Sequence, residues 1–290
     1  MTVLPPLTDI LDLETVEEGV FLGPPVDDGR PRVFGGQVLA QALAAASFTV
    51  EDGWPCHSLH SYFLRPGKPG RPVYYEVTDL RNAKRFCSRQ VLAIQRDEPI
   101  LQFTASFQSD DGQSESVQLT APDAPHPNEL PDEETTRDRM RARMPEHARD
   151  RFNTTWPIEI RPTDDSQWFE SKAQPAERRV WFRCRDQLPD YPNLHRCALT
   201  YSSDMFALQS CVMATSMSPF DPDLQMASLD HSVWFHRELR ADAWLLFAGK
   251  CVSVANGRGL ASGHVFSEGG ELVATIAQEG LMHLASSGSE

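Results

Sequence analysis

The sequence predicts an α+β fold in which a helix is followed by a run of strands, and this arrangement occurs twice. Three observations lead to this prediction: a long apolar helix, four strand candidates that follow it without an intervening helix, and a second half that repeats the pattern. Consecutive strands after a helix favour an antiparallel sheet, because parallel strands need long crossover connections between them.

The first helix is predicted from Arg32 to Ala46. From Gln37 onward it contains good helix formers and no proline, and its apolar residues go round most of the helix. A helix of this kind is buried. Gly35 and Gly36 stand at its N-terminal end, where backbone N–H groups are open to a ligand. On its own, this segment is equally typical of a plain core helix that follows a Gly-Gly turn.

The strand candidates of the first half are rich in aromatic and β-branched residues and are separated by turn residues. A short strand or helix from Leu11 to Leu22 precedes the helix. The four strands are predicted at Cys56 to Leu64, Val73 to Leu80, Phe86 to Gln95 and Ile100 to Gln108.

The composition changes from Ser109 to Arg151, where Asp, Glu, Pro and Ser are frequent and large apolar residues are few. This composition is typical of a linker, with one surface helix predicted from Glu133 to Arg151. We therefore predict an N-terminal unit of residues 1–110, a linker of residues 111–152 and a C-terminal unit of residues 153–290.

The second half repeats the first. A helix is predicted from Leu194 to Thr215, and strands are predicted at Trp156 to Arg161, Arg178 to Cys184, Leu229 to Phe235, Trp244 to Val254, Gly259 to Phe266 and Leu272 to Met282. A shift of 171 residues places His60-Ser61 on His231-Ser232, and also Leu101 on Leu272 and Thr104 on Thr275. A period as long as a domain indicates a duplicated fold with a pseudo-twofold axis.

Charge and composition exclude several classes of function. The net charge of −14 argues against nucleic acid as the main partner, and no apolar run approaches the roughly 20 residues that span a bilayer. The N-terminal residues do not resemble a signal peptide. Six cysteines are scattered without a C-x-x-C pair, which favours reduced thiols in the cytoplasm over disulfides or a metal site. We predict no cofactor and no metal.

Five segments carry a resemblance to a known family. They are R-V-F-G-G-Q-V-L-A-Q-A-L at residues 32–43, H-S-L-H-S-Y-F-L-R-P-G at 57–67, Y-S-S-D at 201–204, A-S-L-D-H-S-V-W-F-H-R at 227–237 and V-A-T-I-A-Q-E-G-L-M at 273–282. They resemble acyl-CoA thioesterase II, the double hotdog thioesterases. The resemblance implies two hotdog units, hydrolysis of acyl-CoA to free fatty acid and CoA, and a homo-oligomer, either a dimer or a tetramer.

The resemblance also implies that an Asp, a Thr and a Gln hold the attacking water. By motif the carboxylate is Asp204 and the amide is Gln278. The Thr position is occupied here by Ser228, which keeps the hydroxyl but loses the methyl group that restricts the side-chain rotamer.

The chemistry of these residue types agrees with that implication. A thioester carbonyl is electrophilic and its thiolate is a good leaving group, so an activated water suffices without a covalent nucleophile. Asp204 is able to accept a proton from the water, while Gln278 and Ser228 offer donors and acceptors that fix its position. No G-x-S-x-G segment is present, so a serine-nucleophile mechanism is unsupported.

Each site residue has a structural alternative. A structural salt bridge is the alternative for Asp204, and capping of a strand end is the alternative for Gln278. Asp230, in the conspicuous D-H-S motif, is the rival carboxylate, and we expect it to bind a neighbouring backbone group or histidine. The histidines His57, His60 and His231 are alternative bases; the last two are matched by the repeat, which favours a structural role shared by both halves.

We expect one active site per chain. A shift of 167 residues places Gln37 opposite Asp204, and an amide cannot act as a base. We therefore expect second-half residues to form the site and the first half to provide scaffolding and binding. Arg89 and Arg258 are candidates for contacts to CoA phosphates, with structural pairing as the alternative.

Two other functions remain open at this stage. A hotdog hydratase would need a His and Asp pair before or within the helix, and residues 34–43 contain none. A protein that binds acyl-CoA without hydrolysing it is the other alternative, because Ser replaces Thr at position 228.

Overall fold

The computed structural model describes residues 2–109, 115–164 and 177–284, with the side chains of 150–152 excepted. Its helices are α1 (Leu7–Ile10), α2 (Gly35–Ser47), α3 (Glu133–Arg143), α4 (Pro192–Ser203) and α5 (Gln209–Met213), with 3-10 helices at Pro127–Glu129 and Glu146–Phe152. The strands of the first half are β1 (Thr2–Val3), β2 (Glu14–Glu17), β3 (Val20–Gly23), β4 (Cys56–Phe63), β5 (Val73–Asn82), β6 (Phe86–Gln95) and β7 (Glu98–Gln108). Those of the second half are β8 (Thr154–Thr155), β9 (Ile158–Pro162), β10 (Glu177–Cys184), β11 (Leu224–Ser228), β12 (Asp230–Phe235), β13 (Leu245–Ala255), β14 (Arg258–Ser267) and β15 (Leu272–Leu284).

One antiparallel sheet runs through both halves of the chain. Its strand order is β2-β3-β5-β6-β7-β4-β12-β15-β14-β13-β10-β9, with β11 also paired to β15. Counted outward from the junction between β4 and β12, each half presents its strands in the same order. The α+β class with an antiparallel sheet and a duplicated topology is therefore confirmed. The division at residues 110 and 152 stays a prediction.

Helix α2 fills the concave side of the first-half sheet. It packs on β3 to β7, and its residues from Gly36 to Ala46 are all buried. Alanines occupy many of these positions, so strands and α4 approach its backbone closely. The prediction of a helix buried on all sides is confirmed.

The second-half helix is broken where the sequence predicts a continuous helix from Leu194 to Thr215. Helix α4 ends at Ser203, and α5 begins only at Gln209. The hydroxyls of Ser202 and Ser203 donate back to carbonyls of their own helix at 2.8 Å, a contact that competes with helical hydrogen bonding. Asp204 consequently lies at the end of α4, outside the helix.

The segment predicted as a linker packs against the second half. Helix α3 ends at Arg143, well before Arg151, because Met144 precedes a proline and is disfavoured in the α conformation. Pro125 accepts a hydrogen bond from the indole of Trp181, and apolar residues of the segment cover the outer side of the sheet there. Because the segment is mostly polar, its composition did not predict these few apolar contacts.

The repeat register taken from the sequence is wrong by one residue at the junction. His60 lies opposite Ser232, and Ser61 lies opposite His231. Directly opposite residues share a face, so the two histidines point to opposite faces: His60 is exposed and His231 is fully buried. Leu101 and Leu272, which the same shift aligns, are both buried but belong to different clusters of the core.

Candidate active site

The three site residues that the family motifs predict come from three separate elements of the second half, and their side chains lie close together. Asp204 follows α4, Ser228 ends β11, and Gln278 lies in the middle of β15. Strand β11 pairs with β15 so that Ser228 is opposite Gly280, two residues beyond Gln278 and therefore on the same face. The sheet register thus brings the hydroxyl and the amide together.

Hydrogen bonds connect the three side chains directly. The amide nitrogen Nε2 of Gln278 donates to Oδ1 of Asp204 at 2.6 Å and to Oγ of Ser228 at 2.8 Å. Oγ of Ser228 donates to the same Oδ1 at 3.1 Å. Gln278 is fully buried, whereas Asp204 and Ser228 are half-buried. The arrangement holds one carboxylate with two donors and leaves part of it accessible.

The first half completes the site through the N-terminus of α2. The backbone N–H of Gly36 donates to Oδ2 of Asp204 at 2.9 Å. The positive end of α2 thereby faces a carboxylate that would otherwise stand unfavourably at the C-terminal end of its own helix. The expected division, with second-half residues forming the site and the first half mainly providing scaffolding and binding, stays a prediction, and the N–H of Gly36 is a first-half contact to the candidate carboxylate. The Gly35-Gly36 pair was the sequence signal for N–H groups open to a ligand, and the group that the Gly36 N–H binds is the carboxylate of Asp204.

Burial raises the pKa of Asp204 above its ordinary value of 3.8. The hydrogen bonds from Gln278 and Ser228, the positive charge of Arg30 and the Gly36 N–H oppose that rise. The pKa of this carboxyl is therefore raised while the surrounding groups still favour its ionised form, which is typical of a general base.

Two family models match this chain, one in each half. The model described as acyl-CoA thioesterase matches residues 147–281, and the one described as the N-terminal domain of acyl-CoA thioesterase matches residues 22–108. Acyl-CoA thioesterase 2 of Haemophilus influenzae is 34% identical over 283 residues, which cover 98% of this chain and 99% of that protein. The chain belongs to the acyl-CoA thioesterase family. It is therefore a thioester hydrolase.

Comparison with solved structures identifies the fold of this thioesterase. The acyl-CoA thioesterase II TesB2 of Mycobacterium marinum superposes with a TM-score of 0.79 at 36% identity, over 97% of this chain and 99% of that one. A hotdog-fold protein of Alicyclobacillus acidocaldarius superposes with a TM-score of 0.77 at 20% identity, over 96% and 98%. The architecture of this thioesterase is the double hotdog that the sequence resemblance implied.

Arg30 is a residue near the site that the sequence did not indicate. Its guanidinium is bound by Asp28, with Nε donating at 2.6 Å, and lies between the rings of Phe34 and Trp156, 4.8 and 4.6 Å from their centroids. The segment D-D-G-R-P reads only as a turn, because the aromatic partners come from distant positions. Arg30 is the cation whose charge favours ionised Asp204.

Asp230 has the structural role expected of it. Its Oδ1 accepts from the backbone N–H of Glu279 at 2.8 Å. Two of the histidines lie away from the three converging residues: His57 is bonded to Ser106 at 2.8 Å and His60 to Ser232 at 3.1 Å.

One of the two arginines proposed for CoA phosphates is occupied inside the protein. Arg89 is 3% exposed; it bonds Thr49 and Asn82 and forms an ion pair with Asp79 at 2.8 Å. It is therefore structural. Arg258 is half-exposed and pairs with Glu279 at 3.0 Å, so its assignment to CoA stays a prediction.

The described part of the chain contains neither a cluster of metal ligands nor a membrane-spanning helix. No group of three or more His, Cys, Asp or Glu side chains there is arranged to hold a metal ion. None of its helices has both the length and the apolarity needed to cross a bilayer.

Proposed function

We propose that this thioesterase hydrolyses fatty acyl-CoA to free fatty acid and CoA with a water held by Asp204 and Ser228, while Gln278 orients those two groups. The observation that carries the proposal is the convergence of the three side chains, from three elements, on shared hydrogen bonds of 2.6 to 3.1 Å.

The hydrogen-bond inventory indicates which atoms face the water. Oδ1 of Asp204 already accepts from Gln278 and Ser228, whereas Oδ2 accepts, among the described residues, only the Gly36 N–H. A carboxylate oxygen has two lone pairs, so Oδ2 retains one for the water. Oγ of Ser228 donates once and accepts once, and it also retains a lone pair. Both amide hydrogens of Gln278 are engaged, which supports an orienting role.

In the proposed step the water donates one hydrogen to Oδ2 of Asp204 and the other to Oγ of Ser228. Its oxygen attacks the thioester carbonyl carbon as its proton passes to Asp204. The tetrahedral intermediate then collapses, the C–S bond breaks, and the thiolate of CoA leaves. Asp204 returns its proton to the sulfur, so that the products are the fatty acid and CoA thiol. A general base of this kind typically contributes about 10²- to 10⁴-fold in rate.

Thiol release from acyl-CoAs of several chain lengths tests this function. We expect CoA to be released from a subset of chain lengths with the production of one carboxylic acid per thiol. A protein that binds acyl-CoA in calorimetry but releases no thiol with any chain length would be a binding protein, and the proposal would be wrong.

We also propose that the chain assembles as a homo-oligomer, a dimer or tetramer, and works in the cytoplasm. Two features support assembly: the sheet of the described residues ends in the edge strands β2 and β9, and Tyr62 and Trp234 are exposed beside the junction. The six cysteines are free, and five of them are buried, which supports a reducing compartment.

A further inference from the structure

His231 lies directly beside Gln278 in the core of the sheet. Strands β12 and β15 pair with Ser232 opposite Ala277, and the next step of this antiparallel register places His231 opposite Gln278. Both residues are 0% exposed. Directly opposite side chains on one face are about 4.5–5.5 Å apart at Cβ, so imidazole and amide are neighbours.

Each of these two side chains has one buried polar atom without a hydrogen bond among the described residues. Nδ1 of His231 and Oε1 of Gln278 are buried, and neither meets a partner in hydrogen-bond geometry among the described residues. Gln278 nevertheless acts on the imidazole, because its side chain raises the pKa of His231 against the larger lowering by burial. A buried polar atom left unpaired is unfavourable, so a direct bond between these two atoms would remove two such atoms at once.

The imidazole tautomer decides whether that bond forms. Nε2 of His231 is 2.7 Å from Oγ of Ser203, which also lies 2.8 Å from the carbonyl of Thr200. If Nε2 carries the proton, Nδ1 is an acceptor and is unable to bond the acceptor Oε1. If Nδ1 carries the proton, it donates to Oε1, and the single hydrogen of the Ser203 hydroxyl turns from the Thr200 carbonyl to Nε2. Only the second tautomer satisfies both buried atoms.

We propose that His231 is a positioning residue for hydrolysis, whose Nδ1–H donates to Oε1 of Gln278 and keeps the amide nitrogen directed at Asp204 and Ser228. This inference rests on the proposed role of those three residues. A reversed amide would place Oε1 against the carboxylate of Asp204, and a donor at Nδ1 opposes that reversal. Because Ser203 immediately precedes Asp204, the same imidazole also holds the end of α4.

The tautomer is measurable without any activity. In protein labelled with ¹⁵N-histidine, the nitrogen shifts of neutral imidazole distinguish Nδ1–H from Nε2–H, and the loss of one histidine in His231→Asn assigns the signal. We expect the Nδ1–H tautomer at pH 7. An Nε2–H tautomer would overturn the proposal whether or not Asp204 is the base.

A pair of substitutions separates the two nitrogens of His231. Asn places its amide nitrogen near the position of Nδ1, and Gln places its amide nitrogen near that of Nε2. We expect His231→Asn to keep kcat within about threefold of the parent, and His231→Gln to lower kcat roughly tenfold with KM nearly unchanged. The exposed His60→Asn serves as the matched control and should keep full activity.

Thermal midpoints of both variants separate positioning from folding. If His231→Asn and His231→Gln lose activity equally, or in proportion to their loss of midpoint, His231 has a structural role only. If Asp204→Asn is fully active, the proposed function fails, but the tautomer measurement still decides the contact between His231 and Gln278.

Discussion

The hydroxyl of Ser228 forms two hydrogen bonds: it accepts one from Gln278 and donates one to Asp204. Ser228→Thr keeps both, so we expect activity within about threefold of the parent. Ser228→Ala removes them and leaves an amide hydrogen of Gln278 unpaired, so we expect kcat to fall roughly tenfold or more. Steady-state kinetics on one acyl-CoA checks both. An alanine variant as fast as the parent would exclude Ser228 from the site.

We expect the pH dependence of the reaction to follow the protonation of Asp204. Only the ionised carboxylate accepts a proton, so kcat/KM should fall as the pH drops through a pKa that lies above the ordinary 3.8. Arg30→Gln removes the charge that lowers this pKa and should move the acid limb to higher pH. Arg30→Lys keeps the charge and should move it less. Identical acid limbs in all three proteins would contradict this role of Arg30.

At the scale of elements, the contact between α2 and Asp204 depends on Gly36. A Cβ at that position would lie 2.3 Å from the backbone carbonyl of Tyr201 on α4, and backbone cannot yield as a flexible side chain does. Gly36→Ala should therefore separate the helices, weaken the N–H bond to Asp204, and lower both the thermal midpoint and kcat.

Gly269→Ala is the matched control for Gly36→Ala. Its Cβ would have no neighbour closer than 3.7 Å, so its midpoint and turnover should stay near those of the parent. A Gly36→Ala protein with the midpoint and turnover of the parent would show that the close approach of α2 is dispensable.

The sequence predicted correctly those strands and helices whose ends are marked by their own residue pattern. Strand β6 has the bounds expected, Phe86–Gln95, because its alternating residues mark both ends. The break at Asp204 could not be predicted locally, since part of its cause is the N–H of Gly36, 168 residues away. Strand β11 was missed for a similar reason: Leu224–Ser228 is defined by its pairing with β15.

At the scale of the whole molecule, duplication was predictable but its register was not. Motif identity aligned His60 with His231, whereas the sheet places them on opposite faces. A two-letter match carries no information about which face is buried. The residues of the candidate site came from resemblance to a family, and the sequence alone left Asp204 and Asp230 as rivals. Their distinction needed the contacts: Asp230 binds a backbone N–H, and Asp204 binds Gln278 and Ser228.

The state of assembly follows from the outer surface of the sheet. The exposed edge strand β2 and the exposed aromatic side chains favour association with a second copy. We expect sedimentation equilibrium at micromolar concentration to give two or four times the chain mass of 32.5 kDa. A mass equal to one chain would contradict the proposed homo-oligomer and leave the chemistry of the site untouched.

Asp204→Asn tests most directly whether the carboxylate of Asp204 is the base. Asparagine keeps the size of the side chain and removes its basicity. Burial raises the pKa of Asp204, so the ionised form is disfavoured in the folded protein, and stability contributed by the neutral form is lost as the pH rises through that pKa. At pH 7 the neutral asparagine should therefore leave the thermal midpoint unchanged or higher.

We expect turnover of Asp204→Asn to fall by roughly 10²- to 10⁴-fold while acyl-CoA affinity changes little, because the loss falls on the transition state. Asp230→Asn alters a carboxylate that accepts a bond from the backbone N–H of Glu279; it is the matched control and should retain turnover within about threefold. The decisive measurement is the turnover number of Asp204→Asn, taken with its affinity and midpoint. A stable variant with the turnover of the parent would contradict the mechanism.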